Sequence, residues 1–209
     1  MKLIVITPSE MLENETAQLI RMLEMGITNV HIRKPKLSTA EMRKYIVSIP
    51  EHFHDRLVIH SHHNLALAFN LKGIHITRLH KKRWFRLWLN RTILRSRGRT
   101  FIQTGSYRKI ASLYEEAPNY DYVFLSPVFD SLSGSFQGGF NEFSLTAALK
   151  KNMHKVIARG GISIEQIEKV RSIGFDGMAL YSCLWKKKEP VAALEAILNR
   201  CKELSIEIS

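Results

Sequence analysis

The chain has 209 residues, which suits one domain and lies at the short end of the range of a single eight-fold α/β barrel. Apolar residues make up 45% of it and charged residues 24%, as in an ordinary globular protein, and no apolar run approaches the ~20 residues of a membrane helix. Two cysteines without CxxC spacing argue against a disulfide framework and a zinc finger, and they favour a reducing, cytoplasmic location. The apolar run at the N-terminus is too short for a signal peptide.

Eight short apolar runs predict strands, and a helix-like segment follows each of them. The strands are predicted at residues 3–7, 28–33, 57–60, 73–76, 101–104, 122–126, 155–158 and 177–181. The helices are predicted at residues 10–25, after a capping box at Ser38 and Glu41, around 65–69, and at 82–94, 107–116, 144–151, 164–173 and 191–198. Strands alternating with helices predict a parallel sheet, and eight such units predict a closed (β/α)8 TIM barrel that forms one domain over residues 1–209.

The net charge of +12 is concentrated in one segment. Nine of the 31 Lys and Arg residues lie between Arg78 and Arg99, where there is no acid, and the rest of the chain carries only about +3. Basic residues interleaved with aromatics in segment 81–97 fit nucleic-acid binding. An amphipathic helix whose aromatics pack on the barrel fits them better, so nucleic-acid binding stays a distant alternative. Arg78 and Lys81 could instead take up charge of an anionic substrate at the barrel mouth.

The glycine pair Gly160-Gly161 directly follows the seventh predicted strand. Glycines at a strand end let the backbone approach an anion, and Ser163 is placed to cap the next helix. The eighth strand ends at Ser182. Phosphate sites formed by the loops after strands 7 and 8 are typical of the eight-stranded barrel, so these residues predict a phosphate site.

Taken in order, the motifs resemble the thiamine-phosphate synthase / thiazole tautomerase family. They are LIVIT at 3–7, VHIR at 30–33, LVI at 57–59 leading to LALA at 65–68, GIHI at 73–76, GS at 105–106, YVFLSPVF at 122–129, VIARGGI at 156–162 and GFDGMALYS at 174–182. The resemblance implies a transferase of thiamin biosynthesis. That enzyme would couple hydroxymethylpyrimidine diphosphate with thiazole phosphate and release pyrophosphate, with Mg²⁺ as cofactor. The alternative is a diverged member, tautomerase-like or non-catalytic, that binds a phosphorylated thiazole or a related heterocycle without the magnesium site.

The resemblance also implies roles for particular residues. Arg33 would contact the diphosphate, Ser106 would help to position it, and Gly160, Gly161 and Ser182 would hold the thiazole phosphate. Ser131 and Ser133 occupy the phosphate-binding threonine positions of the strand-6 loop, where Gly134 follows instead of the family's lysine. Pro127 matches the synthase branch, whereas the tautomerase branch can have a catalytic histidine there. The partners are then phosphorylated small molecules, and a homo-oligomer stays open.

The chain departs from the family at the metal positions. Ser61 and His80 stand where the family has its two magnesium-binding aspartates, and Pro35 replaces a lysine, with Lys34 and Lys36 beside it. Three of the four aspartates precede strands, at the bottom of the barrel, and only Asp130 lies at the catalytic end. Magnesium prefers carboxylate and water oxygens, so we expect a poor magnesium site.

Six histidines fall near the ends of strands 2 to 4: His31, His60, His62, His63, His75 and His80. They are either scattered polar residues around the mouth or a replacement transition-metal site in which His60 and His80 take the aspartate positions.

The loop 127–140 is predicted to be a lid. Arg159 either reaches inward to an anion or pairs with an acid such as Glu142, and Cys183 is predicted to be structural.

Overall fold

Eight parallel strands form one closed barrel in a computed structural model that describes residues 1–77, 101–114, 120–130, 140–152 and 154–209. The strands are β1 (Lys2–Ile6), β2 (Val30–Ile32), β3 (Leu57–Ile59), β4 (Gly73–His75), β5 (Ile102–Tyr107), β6 (Tyr122–Leu125), β7 (Val156–Arg159) and β8 (Gly177–Leu180). Each strand pairs with the next, and β1 pairs with β8 to close the ring. The predicted (β/α)8 TIM barrel is confirmed.

Within the described segments, α-helices lie between most of the consecutive strands. The α-helices in the described segments are α1 (Glu15–Glu24), α2 (Thr39–Val47), α3 (Asn64–Ala68), α4 (Glu142–Lys151), α5 (Ile167–Ile173), α6 (Ser182–Trp185) and α7 (Pro190–Glu203). The capping box predicted at Ser38 and Glu41 is present at the start of α2. No helix within the described residues is long and apolar enough to cross a membrane.

Two predicted helices differ from the observed ones. The helix predicted at 10–25 begins only at Glu15, because Asn14 adopts a left-handed conformation with φ 56°. The helix predicted at 107–116 is replaced, over its described part, by a strand residue and a short 3₁₀ turn, Ile110–Leu113, because Tyr107 still pairs with Leu125 of β6. The basic helix predicted at 82–94, within the basic segment 81–97, lies outside the described residues.

Alternation along the strands divides the core into two parts. Side chains such as Leu3 and Val5 face outward and pack under the helices in the larger cluster. A second cluster fills the inside of the barrel with Ile4, Ile6, Tyr122, Phe124, Ile157 and Ala179. Successive strand residues point to opposite faces, so every second residue of a strand faces the barrel axis. The inward-facing residues at the carboxyl end of each strand therefore lie at the mouth of the barrel.

Acidic side chains hold the opposite end of the barrel. The carboxylate of Asp121 accepts a 2.8 Å hydrogen bond from the backbone N–H of Gln103 at the start of β5. Asp176 accepts an equivalent bond, also 2.8 Å, from the N–H of Val156 at the start of β7. These contacts confirm that both aspartates lie at the bottom, where they join neighbouring strands.

A buried ion pair fixes the segment after β2 to α1. Lys34 Nζ lies 2.6 Å from the carboxylate of Glu15, and neither side chain is exposed to solvent. The hydroxyl of Tyr45 donates to the other carboxylate oxygen at 2.6 Å, and Lys34 also donates to the carbonyl of Glu10. Burial lowers the pKa of Lys34, and Glu15 opposes that shift. The Tyr45 hydroxyl and the Glu10 carbonyl, together with the ion pair itself, satisfy the buried carboxylate and ammonium and offset the cost of removing both charges from water.

We predict that Glu15→Ala destabilises the protein by about 3–5 kcal/mol, because it leaves the Lys34 ammonium buried without its counter-ion. The matched control is Lys36→Met, which breaks the exposed ion pair between Lys36 and Glu10. That substitution should change the free energy of unfolding by less than about 1 kcal/mol. Urea unfolding followed by circular dichroism measures both, and equal effects would contradict the assignment.

Candidate functional site

A cavity of about 500 Å³ opens at the carboxyl ends of the strands. Its lining includes Arg33 after β2, His60 and Ser61 after β3, His75 of β4, Ser106 and Arg108 from β5 and beyond, Ser126 after β6 and Arg159 of β7. In α/β barrels this is the face on which active sites are built. Of the residues predicted for the diphosphate half of the site, the structure therefore brings Arg33 and Ser106 together in one cavity.

Three arginines converge on this first cavity. Arg33, Arg108 and Arg159 all line it, and no Asp or Glu is among its described lining residues. Burial, together with the charges of Arg33 and Arg108, lowers the pKa of Arg159 to about 10. Cations that repel one another in a concave site, with no carboxylate among the described lining residues, favour an anionic ligand.

Arg159 takes the inward of its two predicted orientations. Its guanidinium lies 5.8 Å from the centre of the Phe124 ring, which is inside the barrel. The carboxylate of Glu142, the predicted alternative partner, instead pairs with Lys169 at 2.7 Å.

Buried histidines form the floor of the first cavity. His31 Nδ1 lies 2.9 Å from His60 Nε2, and His31 Nε2 lies 2.6 Å from the hydroxyl of Tyr122. The His60 and His75 rings stack with their centres 4.1 Å apart. Burial and the proximity of His75 lower the pKa of both His31 and His60 well below the ordinary value, so both rings are neutral at pH 7.

The other predicted mouth histidines do not join this cluster. His62 Nε2 donates to the carbonyl of Leu37 at 2.7 Å, and its Nδ1 lies 2.9 Å from the Thr39 hydroxyl, so His62 holds the loop before α2. His63 lies 3.2 Å from the backbone carbonyl of His75. His80 is outside the described residues, so its pairing with His60 stays a prediction.

A second cavity, of about 380 Å³, lies beside the first and shares Ser126 and Arg159 with it. Its lining includes Gly160, Gly161 and Ser182, the three residues predicted for the thiazole-phosphate half of the site. Lys186 adds a cation, and no acid is among its described lining residues. The structure therefore places the two predicted half-sites next to one another.

The glycine pair has the backbone conformation that the prediction requires. Gly160 and Gly161 have φ of +90° and +69°, in the left-handed region. A Cβ on Gly161 would lie 2.3 Å from the carbonyl oxygen of Asp130, so the β6 loop packs directly on this turn. The N–H groups of Val128 and Phe129 donate to the carbonyls of Arg159 and Gly160, which fixes the described start of the predicted lid loop. Left-handed turns of this kind can form anion-binding concavities.

The predicted helix cap at Ser163 is wrong. The segment begins as a 3₁₀ turn, Ile164–Gln166, and Ser163 makes no side-chain cap bond. Its hydroxyl donates instead to the carboxylate of Glu165. The second cavity thus depends on the glycine backbone and on side chains rather than on a capped helix.

Several lining residues were not singled out from the sequence. Arg108 follows Ser106 by two positions, so strand alternation could have placed both on the inward face. Lys186 lies past the short helix α6, and no pattern in the sequence pointed to it.

Ser131 and Ser133 lie outside the described residues, as does most of the predicted lid. Cys183 is buried, which raises the pKa of its thiol to about 11 and agrees with a structural role.

The described residues do not fit a magnesium ion. Ser61 lines the first cavity at one predicted aspartate position, and its buried hydroxyl has no hydrogen-bond partner among the described groups. Lys34 and Lys36 are engaged by Glu15 and Glu10 and are not among the cavity-lining residues. Magnesium needs oxygen ligands, mostly carboxylates and water, and the described cavity offers arginines and imidazoles instead.

The fold and these cavities define the class: an α/β-barrel protein whose candidate site lies on the face where barrel enzymes carry theirs. The family model described as thiamine monophosphate synthase matches residues 3–184, and the chain belongs to that family.

Individual relatives agree with this assignment. The chain is 25% identical over 181 residues to a thiamine-phosphate synthase of Clostridium novyi, a match that covers 83% of this chain and 84% of that protein. It is 23% identical over 186 residues to a thiamine-phosphate synthase of Prochlorococcus marinus, covering 87% of this chain but only about half (51%) of that protein. The crystal structure of thiamine phosphate pyrophosphorylase from Bacteroides thetaiotaomicron superimposes with a TM-score of 0.74 at 25% identity, covering 98% of each chain.

We predict that Gly161→Ala destabilises the protein more than Gly174→Ala does. Both glycines have positive φ, but a Cβ on Gly174 meets nothing within 4 Å, whereas one on Gly161 meets the Asp130 backbone. Gly174→Ala should cost about 1–2 kcal/mol in strain, and Gly161→Ala at least about 1 kcal/mol more. Urea unfolding measures the difference, and equal losses would show that the β6 loop moves away freely.

Proposed function

We propose that this chain couples a pyrimidine diphosphate with a thiazole phosphate and releases pyrophosphate, as its family's description suggests. The observation that carries the proposal is the pair of adjacent cavities, both lined by cations without a described carboxylate, which share Ser126 and Arg159. A reaction between two anionic substrates needs two such sites with their reacting ends in reach of one another.

The first cavity would take the diphosphate. Arg33, Arg108 and Arg159 supply positive charge from the ends of β2, β5 and β7, and Ser106 of β5 supplies a hydroxyl. Ser106 Oγ lies 3.0 Å from His75 Nε2, so the imidazole orients that hydroxyl toward or away from a phosphate oxygen. Arg33 is fixed at its backbone, where its N–H donates to the Thr7 hydroxyl at 2.9 Å.

The second cavity would take the thiazole phosphate. The left-handed turn at Gly160 and Gly161 lets the phosphate approach the backbone closely, and Ser182 and Lys186 line the same cavity. On the family pattern, Ser131 and Ser133 would add hydroxyls from the β6 loop. Arg159, at the boundary of both cavities, would face both ligands.

Bond changes in this reaction explain why cations matter. The bond between the pyrimidine methylene carbon and the diphosphate oxygen breaks, and its electron pair leaves with pyrophosphate. The thiazole ring nitrogen then donates its lone pair to that carbon and forms the new C–N bond. Negative charge grows on the bridging oxygen in the transition state, so preorganised arginines stabilise the transition state more than the bound substrate.

A second candidate function is binding of a phosphorylated heterocycle without synthase catalysis. The poor fit to magnesium favours it, because the family's metal-assisted departure of pyrophosphate would then be lost. Pro127 lines the second cavity where the tautomerase branch can have its histidine, which argues against tautomerase chemistry.

The test is incubation of the pure protein with both substrates, with and without Mg²⁺, followed by chromatographic detection of thiamin phosphate and of released pyrophosphate. Formation of both products in equal amounts would support the synthase reaction, and Arg33→Ala should then lower kcat by at least about 100-fold. Saturable binding of thiazole phosphate without any product would overturn it in favour of the second candidate.

We further predict that Arg159→Met lowers the affinity for pyrophosphate by at least about tenfold, because a charge-assisted hydrogen bond is lost. The same substitution should leave the melting temperature unchanged or raise it, since it removes repulsion with Arg33 and Arg108. Isothermal titration calorimetry and thermal unfolding measure the two effects.

The matched control for this prediction is Arg21→Met, an exposed arginine in the last turn of α1 that does not line either cavity. It removes the same charge and should leave the pyrophosphate affinity within about twofold of the original value at physiological salt. An equal loss in both variants would mean that only the net charge of the protein attracts the anion.

A further inference from the structure

Three histidines from neighbouring strands bring their ring nitrogens together beneath the first cavity. A ring nitrogen of His31, one of His60 and one of His75 all lie within 4.8 Å of one another. His31 is fully buried in β2, while His60 and His75 line the cavity. Strand pairing fixes their backbones, since β2 pairs with β3 and β3 with β4.

Hydrogen bonds on the far side of two rings indicate which nitrogens face inward. The Tyr122 hydroxyl lies 2.6 Å from His31 Nε2, which leaves His31 Nδ1 directed at His60 Nε2. Thr104 Oγ1 lies 2.8 Å from His75 Nδ1, which leaves Nε2 on the side of Ser106. A metal-ligating histidine generally uses one nitrogen for the metal and donates the other N–H to an oxygen, so both partners match what metal ligands require.

The chemistry of the cluster suits one class of metal. Neutral imidazole is the form that binds a metal, and burial lowers the pKa of His31 and His60, which favours that form. Three imidazoles with an open fourth position form a familiar arrangement for Zn²⁺, whereas Mg²⁺ prefers oxygen. Tetrahedral Zn²⁺ with bonds of about 2.0–2.1 Å places its ligand atoms roughly 3.3 Å apart. The His31–His60 nitrogens are already at 2.9 Å, so that pair needs only a small separation.

From this geometry we propose that His31, His60 and His75 bind one divalent transition-metal ion, Zn²⁺ or a similar cation, at the floor of the first cavity. Its ligand atoms would be His31 Nδ1, His60 Nε2 and His75 Nε2, and the last of these would exchange its contact with Ser106 Oγ for the metal. The site uses β2 to β4, but none of its ligands is one of the two positions, Ser61 and His80, at which the family binds its metal. The inference concerns metal binding by itself and does not require that the coupling reaction occurs.

Nearby arginines give the proposed site a further property. Arg33 and Arg159 raise the positive potential at the histidines, which opposes a bound cation. An anion in the first cavity offsets that repulsion, and it can also occupy the open position of the metal. Metal and pyrophosphate should therefore bind with positive coupling, each tightening the other by the same factor.

The experiment titrates the untagged, metal-free protein with Co²⁺, which substitutes for Zn²⁺ and shows visible absorption bands in tetrahedral nitrogen sites. We expect one equivalent of Co²⁺ to bind and one equivalent of Zn²⁺ to displace it. Saturating pyrophosphate should tighten the binding at least about threefold, after correction for Co²⁺ bound by free pyrophosphate.

Variants then locate the ion. His60→Ala and His75→Ala should each weaken Co²⁺ binding at least 100-fold, and Tyr122→Phe, which removes only the hydroxyl partner of His31, about 10–100-fold. The control His52→Ala replaces an exposed histidine away from the cavities and should leave the affinity unchanged. If circular dichroism shows that a histidine variant does not fold, the Co²⁺ affinity of the conservative Tyr122→Phe variant still tests whether His31 is a ligand.

Two results would overturn the proposal. One is the lack of stoichiometric Co²⁺ or Zn²⁺ binding by the folded protein, which would leave the three histidines as a hydrogen-bonded core network. The other is binding that survives in the folded His60→Ala/His75→Ala double variant, which would place the ion on other side chains, or unchanged binding in Tyr122→Phe, which would show that His31 is not a ligand oriented by that hydroxyl.

Discussion

Closure of the ring between β1 and β8 is the constraint on which the rest of the structure depends. The first strand pairs with the last over Lys2–Val5 and Gly177–Leu180, two segments that are far apart in the chain. Gly177 permits this contact, since a Cβ there would lie 2.3 Å from the carbonyl oxygen of Lys2. Once the ring is closed, alternate residues of every strand must face the barrel axis. The residues at these inward positions near the carboxyl ends of the strands determine the chemistry of the site.

The closed ring concentrates charge that looks unremarkable along the chain. Arg33, Arg108 and Arg159 lie at the carboxyl ends of three different strands, yet they line one cavity without a described carboxylate. Beneath them lie the buried imidazoles of His31, His60 and His75, while Asp121 and Asp176, which precede β6 and β8, bind the first residues of neighbouring strands at the other end of the barrel. A cationic mouth over neutral nitrogen donors is a different electrostatic arrangement from carboxylates holding Mg²⁺, and it is suited to anions with or without a softer metal.

Much of the fold could be predicted from the sequence because the signals are local. Apolar runs gave all eight strands, and Ser38 with Glu41 gave the start of α2. The failures occurred where a non-local contact or an unusual dihedral angle decided the outcome. Tyr107 stays in β5 because of its pairing with β6, and α1 starts late because Asn14 is left-handed. Ser163 stands at a position typical of a helix N-cap, but its hydroxyl donates to the carboxylate of Glu165 instead of accepting a bond from the backbone.

The sequence by itself determined the barrel, the family's ordered motifs and the backbone freedom at Gly160 and Gly161, because propensity, alternation and glycine chemistry act over a few residues. Only the tertiary structure decided that Arg159 turns inward while Glu142 pairs with Lys169, and that His31 and His75 rather than His62 accompany His60. The physical reason is that strand register and ring closure fix distances between side chains of different strands, and no spacing within one segment contains that information.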